Sequence, residues 1–336
     1  MKKIILSIFL IISLITTACS LDDFKKPVDA NSEEKIKVEV PKGASTSTIS
    51  EILAEKNLIK SEFFFKREVK NLGYDGKLKA GEYRLSKSFN LNKIIEHLYK
   101  GLTYEETVKF TVPEGLEVQE IVDLLIKENI INDGQKFKDE LKSQLKENKL
   151  TKNIDYINLE GFLFPDTYIV SKDASAKQVV SKFLNRFNKV FDETTIKKIE
   201  ESKFSFYEIL TLASIIEREV AVDNERNVVA SVFYNRIDKG MYLQSCATVQ
   251  YILGERKANL LISDTKIDDP YNTYQYEGLP PGPICSPGQK AIKAAVNPKQ
   301  TDYLFFVKSY KNDGSHIFTT NLKDHNYYKN KLKERK

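Results

Sequence analysis

The residue of this sequence best suited to acid–base chemistry is Glu217, which lies in an apolar segment with the pattern of a helix. Ser205 and Glu208 have the spacing of a capping box, and Phe204 and Ile209 have that of a hydrophobic staple. An apolar stripe then recurs at helical intervals, at Ile209, Ala213, Ile216 and Val220. Glu217 projects beside this stripe, where a carboxyl is partly desolvated. Desolvation disfavours the charged form, as a general acid near neutral pH requires.

The alternative for Glu217 is a structural ion pair that only holds helices together. The candidate partners are Arg218, Arg226 and Arg236. Glu219, two residues further on, points to a different side of the helix, so the two glutamates are not expected to share a role.

Length and composition limit the class of protein. At 336 residues the chain is long enough for two or more domains of roughly 100–200 residues each. The net charge of +5 is spread over 52 basic and 47 acidic residues, too balanced to indicate a nucleic-acid partner. With only three His and three Cys, and no Gly-rich phosphate loop, we expect neither a metal nor another cofactor.

The N-terminus has the pattern of an export signal. Two lysines precede an apolar run over residues 4–14, and small residues follow. Cys19 stands in an imperfect lipobox, with Thr16 where Leu is usual, and is a candidate for lipidation. The alternative is a transmembrane anchor, although its apolar core is short against the ~20 residues that a bilayer needs. Either way, residues 1–21 are the anchor, and the rest lies on the extracytoplasmic face of the cell membrane.

An internal repeat follows a polar tether at 22–35. The segment Val40-Pro41-Lys42-Gly43 aligns with Val112-Pro113-Glu114-Gly115 at an offset of 72 residues. Each copy predicts a strand, a turn and an amphipathic helix. The region 36–131 resembles a LysM-like module, which implies binding to N-acetylglucosamine-containing glycan; a spacer domain without ligand is the alternative. The second copy could instead pack on the downstream domain and orient it.

The remainder reads as a polar connector and a larger domain. Residues 132–155 are rich in charge and predict a solvated helix or an insertion. The domain at 156–336 carries predicted helices at 176–190, 206–221 and 224–238, the last with Asp223 as its N-cap.

Loops downstream of Glu217 offer rings for sugar faces and neutral groups for hydroxyls. The candidate substrate contacts are Gln244, Thr248, Tyr271, Asn272, Tyr274 and Asn321. If Cys19 is lipidated, Cys246 and Cys285 remain as an even pair in an oxidising compartment, where a disulfide can form.

The motifs of this domain together resemble those of the YceG-like family of endolytic murein transglycosylases (MltG). They include "E-G-F-L-F-P-D-T-Y" from Glu160, "L-A-S-I-I-E-R-E" around Glu217, "L-Q-S-C-A-T-V-Q-Y" from Leu243 and "G-L-P-P-G-P-I" from Gly278. The resemblance covers the whole chain and implies an α+β fold: an N-terminal membrane anchor, a LysM-like α+β subdomain and a mixed α+β catalytic domain with its catalytic glutamate, Glu217, on a helix.

The resemblance also implies the reaction. Such enzymes cut the bond between N-acetylmuramic acid and N-acetylglucosamine in nascent peptidoglycan strands and leave 1,6-anhydro ends, which terminates elongation. Peptidoglycan synthases (penicillin-binding proteins) are the implied protein partners.

One acid/base group can serve both steps of this lytic reaction, whereas a conventional glycosidase needs two carboxylates. No second acid is obviously matched to Glu217, but Glu160, Asp166, Glu219 and Glu225 stay open. Two alternatives remain: a non-catalytic membrane-tethered peptidoglycan-binding protein, and a hydrolase of the same bond.

Overall fold

The computed structural model describes residues 23–104, 106–155, 158–257, 259–311 and 313–334. The predicted anchor, with Cys19, lies outside this part of the chain. Within the described residues, no helix has the length and apolar character needed to span a bilayer. The chain divides into two compact units, Met1–Glu106 and Thr107–Lys336. Both mix helices with two-stranded antiparallel sheets, so the expected α+β class is confirmed.

The first unit is a strand–helix–helix–strand motif followed by one further helix. Its elements are β1 (Ile36–Val40), α1 (Thr46–Glu55), α2 (Glu62–Asn71), β2 (Gly81–Leu85) and α3 (Leu91–Lys100). β1 and β2 are antiparallel, with Val38 opposite Tyr83, and both side chains are fully buried. Gly101 ends α3 in the left-handed conformation, with φ 68°, as its position after the helix predicts.

The second unit opens with the same motif. Its elements are β3 (Thr107–Thr111), α4 (Val118–Lys127), α5 (Gly134–Glu147) and β4 (Thr167–Ser171). Phe110 and Tyr168 are paired across β3 and β4 as Val38 and Tyr83 are across β1 and β2. The offset between the copies is 72 residues on the first strand and 85 residues on the second. The repeat is therefore a complete strand–helix–helix–strand duplication, and the second copy carries 13 more residues before its last strand.

Residues 132–155, predicted as a polar connector with a solvated helix or an insertion, do contain a helix, but one face of it is buried. Most of that segment is α5, whose fully buried residues are Phe137, Leu141 and Leu145. Phe137 is the counterpart of Phe65 in α2, also fully buried, at the same offset of 72. The division between the units falls at 106/107, between the two copies, rather than after residue 131. The second copy shares the core of the downstream domain, since α5 packs against the first helix of that domain.

The rest of the second unit is mainly helical. Its elements are α6 (Ala176–Val190), α7 (Glu193–Glu200), α8 (Phe206–Glu219), α9 (Arg226–Asp238), α10 (Cys246–Leu253), α11 (Gln289–Val296), β5 (Phe305–Lys308), β6 (His316–Thr319) and α12 (Leu322–Lys333). The central helix α8 packs against α9, α10 and α11. Because other elements surround it, every residue from Ile209 to Ile216 is buried, beyond the stripe that its sequence predicts.

Local signals set the start of α8. The Ser205 and Glu208 side chains each accept the backbone N–H of the other residue, so the predicted capping box is present. The prediction for α9 was less accurate. This helix begins at Arg226 after a 3-10 turn over Asp223–Glu225, and Asp223 bonds the Arg226 side chain instead of capping the helix.

Candidate active site

Glu217 lies in the last turn of α8, with each carboxylate oxygen in contact with another element. Oε1 is 3.0 Å from Nη1 of Arg226 on α9, and Oε2 accepts the backbone N–H of Gly288 at 2.8 Å. The side chains of Glu217 and Arg226 are 6% and 7% exposed, respectively. Gly288 is the N-cap of α11, so an N–H at a helix N-terminus faces the carboxylate, an arrangement that favours negative charge.

The ion pair predicted as the alternative role of Glu217 is thus present, and Arg226 is the partner. The other two candidates are engaged elsewhere. Arg218 pairs with Glu117 at 3.2 Å, and Arg236 donates to three backbone carbonyls. Arg226 Nη1 reaches Glu217 without the alignment of a hydrogen bond, while Nε of the same arginine bonds Asp223 at 3.2 Å.

A second carboxyl, Glu114, lies at this site and was missed from the sequence. It stands in the turn between β3 and α4, and a Cβ built on Gly288 would meet its Oε1 at 1.8 Å. Glu114 is the counterpart of Lys42 in the first copy of the repeat. The four acids that the sequence left open all lie at or beyond residue 160, although this exchange of charge sign between the two copies indicated Glu114. Burial, and then the nearby charge of Glu217, raise the pKa of Glu114 above its ordinary value.

Side chains from the catalytic-domain segments fix α4 in place. Glu160 accepts the Val118 N–H with both oxygens, at 2.9 and 3.1 Å, at the start of that helix. Arg256 bonds Glu120 at 2.6 Å. Glu160 is 8% exposed, and burial raises its pKa to about 8. Glu160 therefore supports the helix behind the turn that carries Glu114.

The other acids that the sequence left open also bind structural partners. These pairs are Asp166 with Arg186, Glu219 with Ser245, and Glu225 with His316. None of these contacts involves Glu217.

Three of the predicted substrate contacts have local structural roles. Thr248 is fully buried and shares a hydrogen bond with Thr273 at 2.9 Å. Asn272, also fully buried, donates to the Ile267 carbonyl at 2.7 Å. Neither side chain is available to a ligand in this structure. Asn321 is exposed and caps α12, with its Oδ1 accepting the N–H of Asp324 at 2.9 Å.

The other three predicted contacts remain accessible. Gln244 is exposed and holds a positive φ of 51°, an uncommon conformation for this residue type. Tyr271 is half-buried, and its hydroxyl accepts from Asn158 Nδ2 at 2.8 Å. Tyr274 is half-buried, and its hydroxyl oxygen lies 3.3 Å from the Cys246 sulfur.

The possible Cys246–Cys285 disulfide is not formed in this structure, where both thiols are free. Cys285 is fully buried, with its sulfur 3.3 Å from the Ser214 carbonyl of α8, whereas Cys246 is exposed at the start of α10. Among the described residues, no group of three or more His, Cys, Asp and Glu side chains could hold a metal ion.

Comparison with known proteins gives consistent matches over nearly the whole chain. The model of the YceG-like family matches residues 38–331. A protein of Bacillus subtilis (strain 168) named endolytic murein transglycosylase is 36% identical over 91% of this chain and 87% of its own length. One of the same name from Streptococcus pneumoniae (strain D39) is 30% identical over 89% of this chain, which spans 58% of that relative.

A solved structure agrees with these sequence matches. The crystal structure of the yceG-like protein lmo1499 from Listeria monocytogenes superposes with a TM-score of 0.60 at 35% identity, covering 88% of this chain and 99% of the other. The family match, the relatives and the shared fold lead to one conclusion: the chain belongs to the YceG-like family.

Proposed function

We propose that this protein is an endolytic lytic transglycosylase that cleaves the bond between N-acetylmuramic acid and N-acetylglucosamine in peptidoglycan strands. The observation that carries the proposal is Glu217, which stands in the family's helix motif and is held between Arg226 and Gly288. The names of the relatives, endolytic murein transglycosylase, support the same substrate and reaction class.

In this reaction Glu217 acts first as acid and then as base. Its proton passes to the leaving glycosidic oxygen as the bond from that oxygen to the anomeric carbon breaks. The muramyl 6-hydroxyl oxygen then bonds to the anomeric carbon and gives its proton to the Glu217 carboxylate, which restores the enzyme. The nucleophile belongs to the substrate, so its attack is intramolecular and carries a small entropic cost. Arg226 and the Gly288 N–H hold the carboxyl in one orientation.

We further propose that accessible residues of the nearby loops contact the sugar rings. Gln244 supplies an amide, while Tyr271 and Tyr274 supply aromatic faces. Thr248, Asn272 and Asn321 support the segments that carry such contacts.

The first unit and the N-terminus give the proposed cellular context. The order β1-α1-α2-β2 supports a LysM-like module that binds glycan. Residues 1–21 would anchor the chain to the extracytoplasmic face of the cell membrane, by a lipid on Cys19 or by a single-pass helix. Cleavage of nascent strands there would terminate their elongation beside the peptidoglycan synthases that make them.

Mass spectrometry of the cleavage products tests the proposal. The purified full chain and its Glu217→Gln variant act on uncrosslinked glycan strands. The wild type is expected to release 1,6-anhydromuramic ends, and the variant to lose about 10²–10⁴-fold in rate, the usual contribution of a general acid–base group. Reducing ends would indicate a hydrolase, and no cleavage by the wild type would favour the binding-protein alternative.

Glu208→Gln is the matched control. The same substitution falls on the same helix, at its other end, and glutamine can accept the Ser205 N–H as glutamate does. This variant should retain full activity.

A further inference from the structure

The turn that carries Glu114 is fixed against the start of α11. The Gly115 N–H donates to the Ser286 carbonyl at 2.9 Å, and the Ser286 N–H donates to the Leu116 carbonyl at 2.8 Å. These two bonds bring the Glu114 side chain over Gly288, where a Cβ would stand 1.8 Å from its Oε1. Only a glycine leaves room for the carboxyl at this point.

Glu217 contacts the same glycine, because its Oε2 accepts the Gly288 N–H at 2.8 Å. A Cβ built on Gly115, the residue after Glu114, would lie 3.7 Å from Cγ of Glu217, so the turn that carries Glu114 runs close to Glu217. Because both carboxyl groups lie close to Gly288, the negative charge of Glu217 disfavours ionisation of Glu114.

The surroundings decide which of these two carboxyl groups binds a proton more readily. Glu217 faces Arg226 and an N–H donor, and both contacts stabilise a carboxylate. Glu114 accepts no such aligned contact within the described hydrogen bonds, and burial together with the charge of Glu217 raises its pKa. The other charged groups that face Glu114 are Arg226, Lys290 and Asp223. Arg226 and Lys290 oppose the rise in the pKa of Glu114, but both are also paired with Asp223.

We infer that Glu114 and Glu217 form a coupled carboxyl pair that shares one proton, with Glu114 as its resting position and Glu217 as the group that delivers it. The inference rests on the proposed function for the delivery step. The proton moves from the Glu114 carboxyl to the Glu217 carboxylate and on to the leaving oxygen. The 6-hydroxyl proton later returns to Glu217, so the pair ends with one proton, as it began. Glu114 acts through Glu217 and is a positioning residue.

The pH–rate profile of Glu114→Gln tests this role. Without Glu114, the proton has to bind Glu217 directly, against Arg226 and the Gly288 N–H. The alkaline limb of kcat is therefore expected to move to lower pH. Activity should fall about 10–100-fold at pH 8, less than the full general-acid contribution, and approach the wild-type value near pH 5 with KM unchanged. A loss that is equal at every pH, or no loss, would overturn the inference.

Gly288→Ala provides a second route to the same state. Gly288 has φ −76° and ψ 169°, which alanine adopts readily, and the substitution keeps the N–H that binds Glu217. The added methyl occupies the position of the Glu114 carboxyl, at the flexible end of that side chain, so the fold should persist and the alkaline limb should shift as in Glu114→Gln. Glu128→Gln, on an exposed glutamate at the far end of α4, is the matched control and should leave the profile unchanged.

A titration that needs no substrate separates this inference from the proposed function. The full chain is labelled with ¹³C at the glutamate carboxyls, and Glu114→Gln identifies the signal of Glu114. In Glu217→Gln the pKa of Glu114 should fall, because a repelling charge is lost and Arg226 is released. An unchanged titration would refute the pair even if glycan is cleaved. A coupled titration without glycan cleavage would instead refute the proposed function.

Discussion

The contact between Glu217 and Arg226 predicts a strong coupling in the stability of the second unit. The two side chains are almost completely buried, at 6% and 7% exposure, and 3.0 Å apart. The perturbations are Glu217→Gln, which removes the negative charge at constant shape, Arg226→Met, which removes the positive charge and keeps the length of the side chain, and the double variant. Their free energies of unfolding complete a double-mutant cycle.

The structure indicates that the two single variants differ in cost. Arg226→Met leaves Glu217 as a buried carboxylate beside Glu114 with only the Gly288 N–H as partner, and should cost about 3–5 kcal/mol. Glu217→Gln should cost less, about 1–3 kcal/mol, because the amide oxygen still accepts that N–H and Arg226 keeps Asp223. The double variant buries no unpaired charge, so it should resemble Arg226→Met or be milder. The size of the coupling then equals the cost of Glu217→Gln, about 1–3 kcal/mol, or exceeds it if the double variant is milder.

Urea unfolding followed by far-ultraviolet circular dichroism measures the four free energies. The control cycle uses the pair Lys197–Glu201, which is 4.0 Å apart and 76% and 65% exposed. A pair at that exposure should couple by less than about 0.5 kcal/mol. If the Glu217–Arg226 cycle gave a coupling as small as the control, Glu217 would not be held as a buried ion pair, and the account of its orientation would fail.

Three further predictions concern other parts of the second unit. Burial raises the pKa of Glu160 to about 8, so the folded state keeps a proton that the unfolded state loses above about pH 4.5. The free energy of unfolding should therefore fall between about pH 5 and 8 and level off above pH 8. Glu160→Gln should flatten this pH dependence in unfolding titrations. Gly161→Ala should destabilise by about 2 kcal/mol or more in urea unfolding, because φ is +87° and the new Cβ would lie 3.0 Å from Leu210; a loss below about 0.5 kcal/mol would contradict this. A thiol reagent should modify Cys246 in the folded protein and Cys285 only after unfolding, because Cys246 is exposed and Cys285 is buried. If neither cysteine of a non-reduced, unfolded sample reacted, the two would instead form a disulfide.

Local signals in the sequence predicted much of the helical structure around the site. The spacing of Ser205 and Glu208 predicted the start of α8, and the apolar stripe predicted its buried face, because a capping box and a 3.6-residue period involve only near neighbours. The offset of 72 residues between the two sequence repeats also relates their first strands in the structure, where Phe110 takes the place of Val38. The buried face of α5 was missed, because its many lysines and glutamates obscured the apolar stripe that includes Phe137.

By itself, the sequence determined the helix that carries Glu217, the repeat and the family motifs, since each is recognised from a pattern of neighbouring residues. Only the tertiary structure decided which of three arginines pairs with Glu217, that Cys246 and Cys285 are free thiols, and that Glu114 reaches Gly288. The Glu217–Arg226 pair joins two successive helices, and Glu114 and Gly288 are far apart in the chain, so the helical periodicity of one segment does not specify either contact. They depend on how the second repeat packs into the core around α8, where burial and shape select the partners.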